Sequence, residues 1–232
     1  MTPKIFLHHQ RCGGNTLRYA YNAYGIPFRY DDVSHRIIHN TPKYMLFEIE
    51  PGIYVPKLDG DYEYFTVIRE PIERVISLVE IRSRPDENSN TFECPSYEHR
   101  ATDEFWQHVH RHMTNGISAQ GWHYANAYTR SIYGTMLDDP TDETFEVVRE
   151  RLMNMPTLLF NKATFRDDLE VFMRRLNIPQ RSEPEQHRAG KDGFTELVPD
   201  WFRKFVTDIN SYDIALYNEL KTKVDEHNIM GV

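Results

Sequence analysis

Lys4–Ile5–Phe6–Leu7–His8–His9–Gln10–Arg11–Cys12–Gly13–Gly14–Asn15–Thr16–Leu17 is the stretch on which the fold turns. Lys4–His8 is a short apolar run, too short for a helix, and the turn after it contains Gly13–Gly14. It reads as a buried strand running into a glycine loop. Thr16–Tyr24 then reads as a helix, with Asn15 or Thr16 as N-cap and Gly25 as its stop. Strand, glycine loop and helix open a βαβ unit. The two glycines let the backbone turn sharply and bring several N–H groups toward one point, where the helix aims its positive end. Such a concavity holds a phosphate or sulfate. Arg11 adds a full charge and Thr16 a hydroxyl donor. The plainer alternative is a strand–helix turn with a glycine pair. The stretch is not a Walker A loop, because GxxxxGK[ST] is absent.

Further along, Tyr62–Ile68 is a strong strand that ends at Arg69–Glu70–Pro71, and Pro71 suits the first turn of a helix. Ile72, Val75, Ile76 and Val79 form one apolar helical stripe, leaving Ser77 on the polar side with Glu73 and Arg74. Arg69 stands at the carboxyl end of its strand, where ligands bind in open α/β sheets. The forked donors of Arg69 and the short hydroxyl of Ser77 could clamp a second phosphate. Alternatively, Arg69 and Arg74 pair with Glu70 and Glu73 at the surface.

Between these loops, Arg36–Ile38 and Met45–Ile49 read as strands or short helices. Residues 82–102 turn rich in Pro, Ser, Asn and Glu and read as an exposed loop or lid. Residues 103–135 read as helical, followed by a helix at 142–154, a strand at 157–160 and a helix at 164–176. A polar loop spans 180–194, and helices near 196–209 and 211–227 finish the chain. Strands alternating with helices imply an α/β fold, a mainly parallel sheet flanked by helices on both faces.

The chain has 232 residues, which suits a single domain, 1–232, with about 80–135 as a loop and helical insert. Its 27 basic and 35 acidic residues give a net charge of −8, a poor general partner for nucleic acid. Two cysteines provide no disulfide framework, so a reducing, cytoplasmic setting is expected. No apolar run is long enough to span a membrane, and the N-terminus reads as a mature start without a leader.

The two loops together carry a resemblance. QRCGGNTL (10–17) and FTVIREPIERVISLV (65–79) resemble the glycine loop and the Arg–Pro segment of the sulfotransferases, most closely the carbohydrate (uronyl 2-O type) branch and its bacterial relatives. Weaker echoes lie at Asn126–Gly134, Phe160–Phe165 and Tyr212–Tyr217. The resemblance implies a P-loop-like three-layer fold and a sulfuryl donor, 3′-phosphoadenosine 5′-phosphosulfate. It places Arg11, Cys12, Gly13, Gly14, Asn15 and Thr16 on the 5′-phosphosulfate. Arg69 and Ser77 fall on the 3′-phosphate, and Arg188 lies in a late basic loop over the nucleotide. Arg11 stands where the family usually has Lys, and Cys12 where Thr is frequent. No metal is expected. The insert at about 80–135 would cap the site of a glycan or small-molecule hydroxyl acceptor.

Sulfuryl transfer asks the protein mainly for positioning and electrostatic stabilisation, here by Arg11 and the loop amides. A hydroxyl acceptor also benefits from a general base. His39 follows a strand-like run between the two loops and is the first candidate, with His35 second and Glu48 third. His8 and His9 border the glycine loop and could shape the donor pocket. A P-loop-type nucleotide kinase or phosphotransferase, and a sulfotransferase-like binding protein without turnover, stand as alternatives. His108, His110 and His112 lack the Glu of HExxH and a third ligand, so they do not read as a metal site. Trp106, Trp122, Tyr124 and Tyr128 read as packing groups. A bulky side chain at Gly13 or Gly14 is expected to block the phosphate while sparing the fold.

Overall fold

Five strands form one parallel sheet among the described residues: β1 (Lys4–Leu7), β2 (Tyr24–Gly25), β3 (Leu46–Ile49), β4 (Glu63–Ile68) and β5 (Thr157–Leu159), in the order β2-β3-β1-β4-β5. The computed structural model describes residues 4–21, 24–25, 46–49, 63–84, 97–115, 123–134, 138–180 and 193–229. The expectations at Arg36–Ile38, His35, His39, Trp122 and Arg188 lie outside those residues, as does the Glu48 side chain. Helices alternate with the strands, so the α/β reading holds. They are α1 (Gly14–Tyr21), α2 (Pro71–Arg82), α3 (Asp103–Asn115), α4 (Ala127–Tyr133), α5 (Asp142–Met153), α6 (Phe165–Arg175), α7 (Asp200–Ile209) and α8 (Ser211–Ile229).

Ile5, Phe6 and Leu7 are all fully buried, as Phe65 to Ile68 are nearly so. Consecutive burial, with no alternation, marks strands covered on both faces. The one polar residue in these runs, Thr66, donates its hydroxyl to the Leu7 carbonyl at 2.8 Å.

Helix α1 starts at Gly14 and stops at Tyr21, short of the expected end. Tyr24 and Gly25 instead pair with Phe47 and Glu48 of β3. Aromatic Tyr24 suits a ladder as well as a helix, and the tertiary partner decides. Helix α2 begins as Pro71 suggests, and the Glu70 carboxylate accepts the Glu73 N–H at 2.6 Å. The single-stripe expectation for α2 fails, because Pro71 and every residue from Arg74 to Glu80 are buried. Val75, Ile76, Leu78 and Val79 join α3 and α7 in one apolar cluster around Trp106 and Phe202. Arg74 and Ser77 are covered as well. Trp106 is fully buried, with its indole N–H on the Arg100 carbonyl at 3.0 Å, so it is a packing group.

Helices α4 and α8 cap each other. Asn126, in the left-handed region at φ 46, accepts the Tyr212 and Asp213 N–H groups at 3.1 and 3.2 Å. Asn is one of the few residues that visit that region readily. In return the buried Asp213 carboxylate accepts the Tyr128 and Thr129 N–H groups at 2.9 Å each and the Thr129 hydroxyl at 2.8 Å. Burial pushes the Asp213 carboxyl above its ordinary range; Arg74 and these hydrogen bonds pull the other way. Asp213→Ala strands three buried donors, at about 1–3 kcal/mol each. Thermal unfolding should show a large fall in midpoint for Asp213→Ala and a smaller one for Asp213→Asn. A parent-like midpoint in Asp213→Ala would rule out the reciprocal cap as a major support.

Candidate functional site

Strand β1 lies between β3 and β4. The chain leaves β1 toward β2 on one side, and β4 lies on the other. That is a topological switch point, where open parallel sheets bind ligands beyond the strand carboxyl ends. The loops leaving β1 and β4 are the glycine loop and Arg69–Glu70.

These loops meet. Arg11 Nε donates to Ser77 Oγ at 3.1 Å, and Arg69 Nη1 donates to the Arg11 carbonyl at 3.5 Å. Arg11 adopts φ 67 and Gly13 φ 82. A non-glycine residue there costs about 1–2 kcal/mol, so the surrounding contacts hold Arg11 in place. The three residues that the sequence assigned to two anion sites stand at one junction. Arg69 also pairs with the exposed Glu73 at 3.5 Å and lies over the Phe160 ring at 5.1 Å, while its Nε is buried without a partner.

Two more arginines of α2 point the same way. Arg74 is 2% exposed, donates Nη1 to the His123 carbonyl at 2.8 Å and covers the Tyr128 ring at 5.2 Å. Its Nε and Nη2 are buried without partners. Arg82 donates to the Tyr124 hydroxyl at 2.8 Å and to Gln10 Oε1 at 3.4 Å. No carboxylate among the described residues forms an ion pair with Arg74 or Arg82. A chain of net negative charge thus concentrates positive charge at this junction. The neighbours register it. Burial first, then Arg82 and Arg74, hold the His123 imidazole down to about 3. Burial, Arg74 and His8 hold His9 well below its ordinary value.

Tyr128 reads from the sequence as a packing group, with no role at this site. Its hydroxyl donates to the Arg69 carbonyl at 2.8 Å, accepts the Arg69 N–H at 3.1 Å and lies 3.3 Å from Cys12 Sγ. Burial pushes the phenol well above its usual range. Arg74 was also missed, although its place three residues before Ser77 puts both on one helical face.

The Cys12 side chain faces the core. It is fully buried in the core, with its thiol at Tyr128, and burial raises its pKa. The thiol is thus not open to the donor contact expected of Cys12, and an apolar enclosure disfavours the thiolate. Thr16 is half-buried in the first turn of α1, and the Asn15 side chain lies outside the described residues.

Gly13 takes the left-handed backbone that the expected sharp turn needs, and both glycines have a further cause. A Cβ on Gly13 would fall into the Phe165 ring, and one on Gly14 into the His8 imidazole. Both positions are closed by the protein's own side chains, so substitution there strikes packing. No protein-family model matches the chain, and no curated protein matches it.

Gly14→Ala should destabilise the fold, and His8→Ala should relieve much of that loss. A double-mutant cycle by denaturant unfolding should give a coupling energy well beyond the roughly 0.3–0.5 kcal/mol of independent sites. Strict additivity would show that the ring is not what excludes a side chain at residue 14.

His9 and His123 stay neutral in the folded chain below the pH at which unfolded histidine protonates. Their folded pKa values are depressed, so the unfolded state binds more protons and stability falls as pH drops below about 6.5. For His123 the fall continues toward about 3. Melting profiles across pH 4–7 should slope less steeply in His123→Asn than in the parent. Superimposable slopes would contradict the assignment.

Proposed function

We propose that the chain is a sulfotransferase of P-loop-like fold, moving a sulfuryl group from 3′-phosphoadenosine 5′-phosphosulfate to a hydroxyl of a carbohydrate or small molecule. One observation carries this reading. The glycine loop and the Arg69 loop join through Arg11, Ser77 and Arg69 at adjacent strand ends.

The donor chemistry fits the groups present. The co-substrate is anionic at two separate points, and the junction collects guanidinium groups. Arg69 Nε and two nitrogens of Arg74 are buried without partners. Ser77 accepts from Arg11, so its own proton can be donated to an oxyanion. Arg11 and the backbone of Gly13, Gly14, Asn15 and Thr16 would face the 5′-phosphosulfate. Arg69 and Ser77 would face the 3′-phosphate, and Arg188 would close from the late loop.

When bound, the donor supplies an activated sulfur: a bond from the acceptor oxygen forms as the bond to the bridging phosphate oxygen breaks. Arg11 meets the charge that builds on the leaving phosphate. His39, or His35 in its stead, takes the acceptor's proton. The net charge of −8 supports a small or neutral acceptor over a polyanion or nucleic acid. A cytoplasmic location rests on the low cysteine count of the sequence alone.

A second reading, a nucleotide-binding protein without turnover, draws on one observation: the His8 ring closes over Gly14, against the helix end that would meet the phosphosulfate.

The test is thermal stabilisation by adenosine 3′,5′-bisphosphate, adenosine 5′-monophosphate and ATP. The bisphosphate should bind roughly 10- to 100-fold more tightly than the monophosphate, the worth of one charge-assisted contact. Arg69→Ala and Ser77→Ala should remove most of that advantage. Equal stabilisation by bisphosphate and monophosphate would overturn the clamp, and a preference for ATP would favour a phosphotransferase. Given bisphosphate binding, turnover of labelled donor over acceptor pools separates enzyme from binding protein.

A further inference from the structure

A cavity of about 400 Å³ opens at the opposite ends of the same two strands. Lys4 and Glu63, the first residues of β1 and β4, are paired neighbours in the sheet and both line it. Its size falls within the range of small-molecule sites, roughly 300–1,000 Å³. Phe65, Ile132, Met155, Pro156 and Leu176 supply an apolar wall.

The charges around the cavity do not cancel. Lys4 and Glu63 neutralise each other in an ion pair. Arg151 remains. Its Nη1 donates to the carbonyls of Ile132 at 2.8 Å and Tyr133 at 3.5 Å, at the end of α4. Its Nε and Nη2 make no hydrogen bond among the described residues, and no carboxylate there pairs with it. One nitrogen therefore fixes the guanidinium, and the rest of its fork is available at the cavity it lines. A fixed fork beside an apolar wall matches a planar anion attached to an apolar body.

We propose that this cavity is a second binding site, for a small apolar monoanion of the aryl- or alkyl-carboxylate class. Arg151 takes the carboxylate. Phe65, Ile132, Met155, Pro156 and Leu176 take the hydrocarbon, whose removal from water supplies the drive. A cation would face the unneutralised guanidinium, and a neutral ligand would leave the fork unused.

The probes are 4-phenylbutanoate and 4-phenylbutanamide, equal in shape and different in charge, titrated into the full chain by ligand-detected NMR. The acid should bind roughly 10- to 100-fold more tightly than the amide. Arg151→Gln should erase that preference, and Arg151→Lys, which keeps the charge but not the fork, should fall between. Leu176→Trp should fill the cavity and abolish binding of both. Leu176 is half-buried, which favours tolerance; Met155→Trp serves if the first variant fails to melt cooperatively. Adenosine 3′,5′-bisphosphate should not compete, whether or not it binds at the arginine junction. Equal affinity for acid and amide, absence of binding by either, retention in a folded cavity-filled variant, or competition by the nucleotide would each overturn the proposal.

Discussion

The Tyr128 hydroxyl grips Arg69 by both backbone groups, donating to the carbonyl at 2.8 Å and accepting the N–H at 3.1 Å, with the Cys12 thiol 3.3 Å away. One phenol oxygen thus ties the residue after β4 to the glycine loop after β1. The tie is only as good as the placement of the phenol. Its backbone N–H is held by Asp213, whose helix is capped in turn by Asn126 beside Tyr128. The distance between the two loops therefore depends on α4 and α8, neither of which belongs to either loop. It also explains why Arg11 can hold a left-handed backbone: its neighbour Cys12 is anchored under Tyr128 and its carbonyl is held by Arg69.

The other face of that arrangement is a buried cation. Arg74 covers the Tyr128 ring and donates one hydrogen bond, with two nitrogens left over. Ring and carbonyl recover part of the desolvation cost, and the Asp213 charge lies near enough to act on it electrostatically. Breaking such a group from its partners is expensive, whereas an apolar replacement of similar volume often is not. Arg74 is thus weak evidence for stability and better evidence for a field. Arg11, Arg69 and Arg82 add to that field at the same strand ends. In a low-dielectric wall it favours entry of an anion, however acidic the rest of the surface.

Much of the local frame was legible in the sequence. The apolar run at Lys4, the Tyr62–Ile68 run and the punctuation by Gly13–Gly14 and Pro71 are signals contained within a few residues, and each element formed near its place. What failed was decided by distant partners. Tyr24 and Gly25 left the helix because β3 offers a ladder. Ser77 and Arg74 look like a solvated face in α2, yet the chain covers them with segments far away in sequence, Arg11 among them. The buried direction of Cys12 depends on Tyr128, which lies 116 residues away. Helical periodicity tells which residues share a face; it does not tell whether that face meets water.

The glycine loop shows how far one spelling can carry two causes. Two glycines before a helix suit an anion cradle, and they equally suit a loop on which side chains lie flat. Here the His8 and Phe165 rings occupy the space beside Gly14 and Gly13. Under the proposed function the donor would therefore meet the loop at its backbone and at Arg11 and Ser77, not beside the two glycine Cα atoms. That geometry gives a role to the arginine at residue 11. A guanidinium can donate Nε to Ser77 and turn its Nη edge elsewhere, whereas an ammonium presents a single point of charge. With the glycine face lined by those rings, the Arg11 guanidinium links the two loops through one side chain.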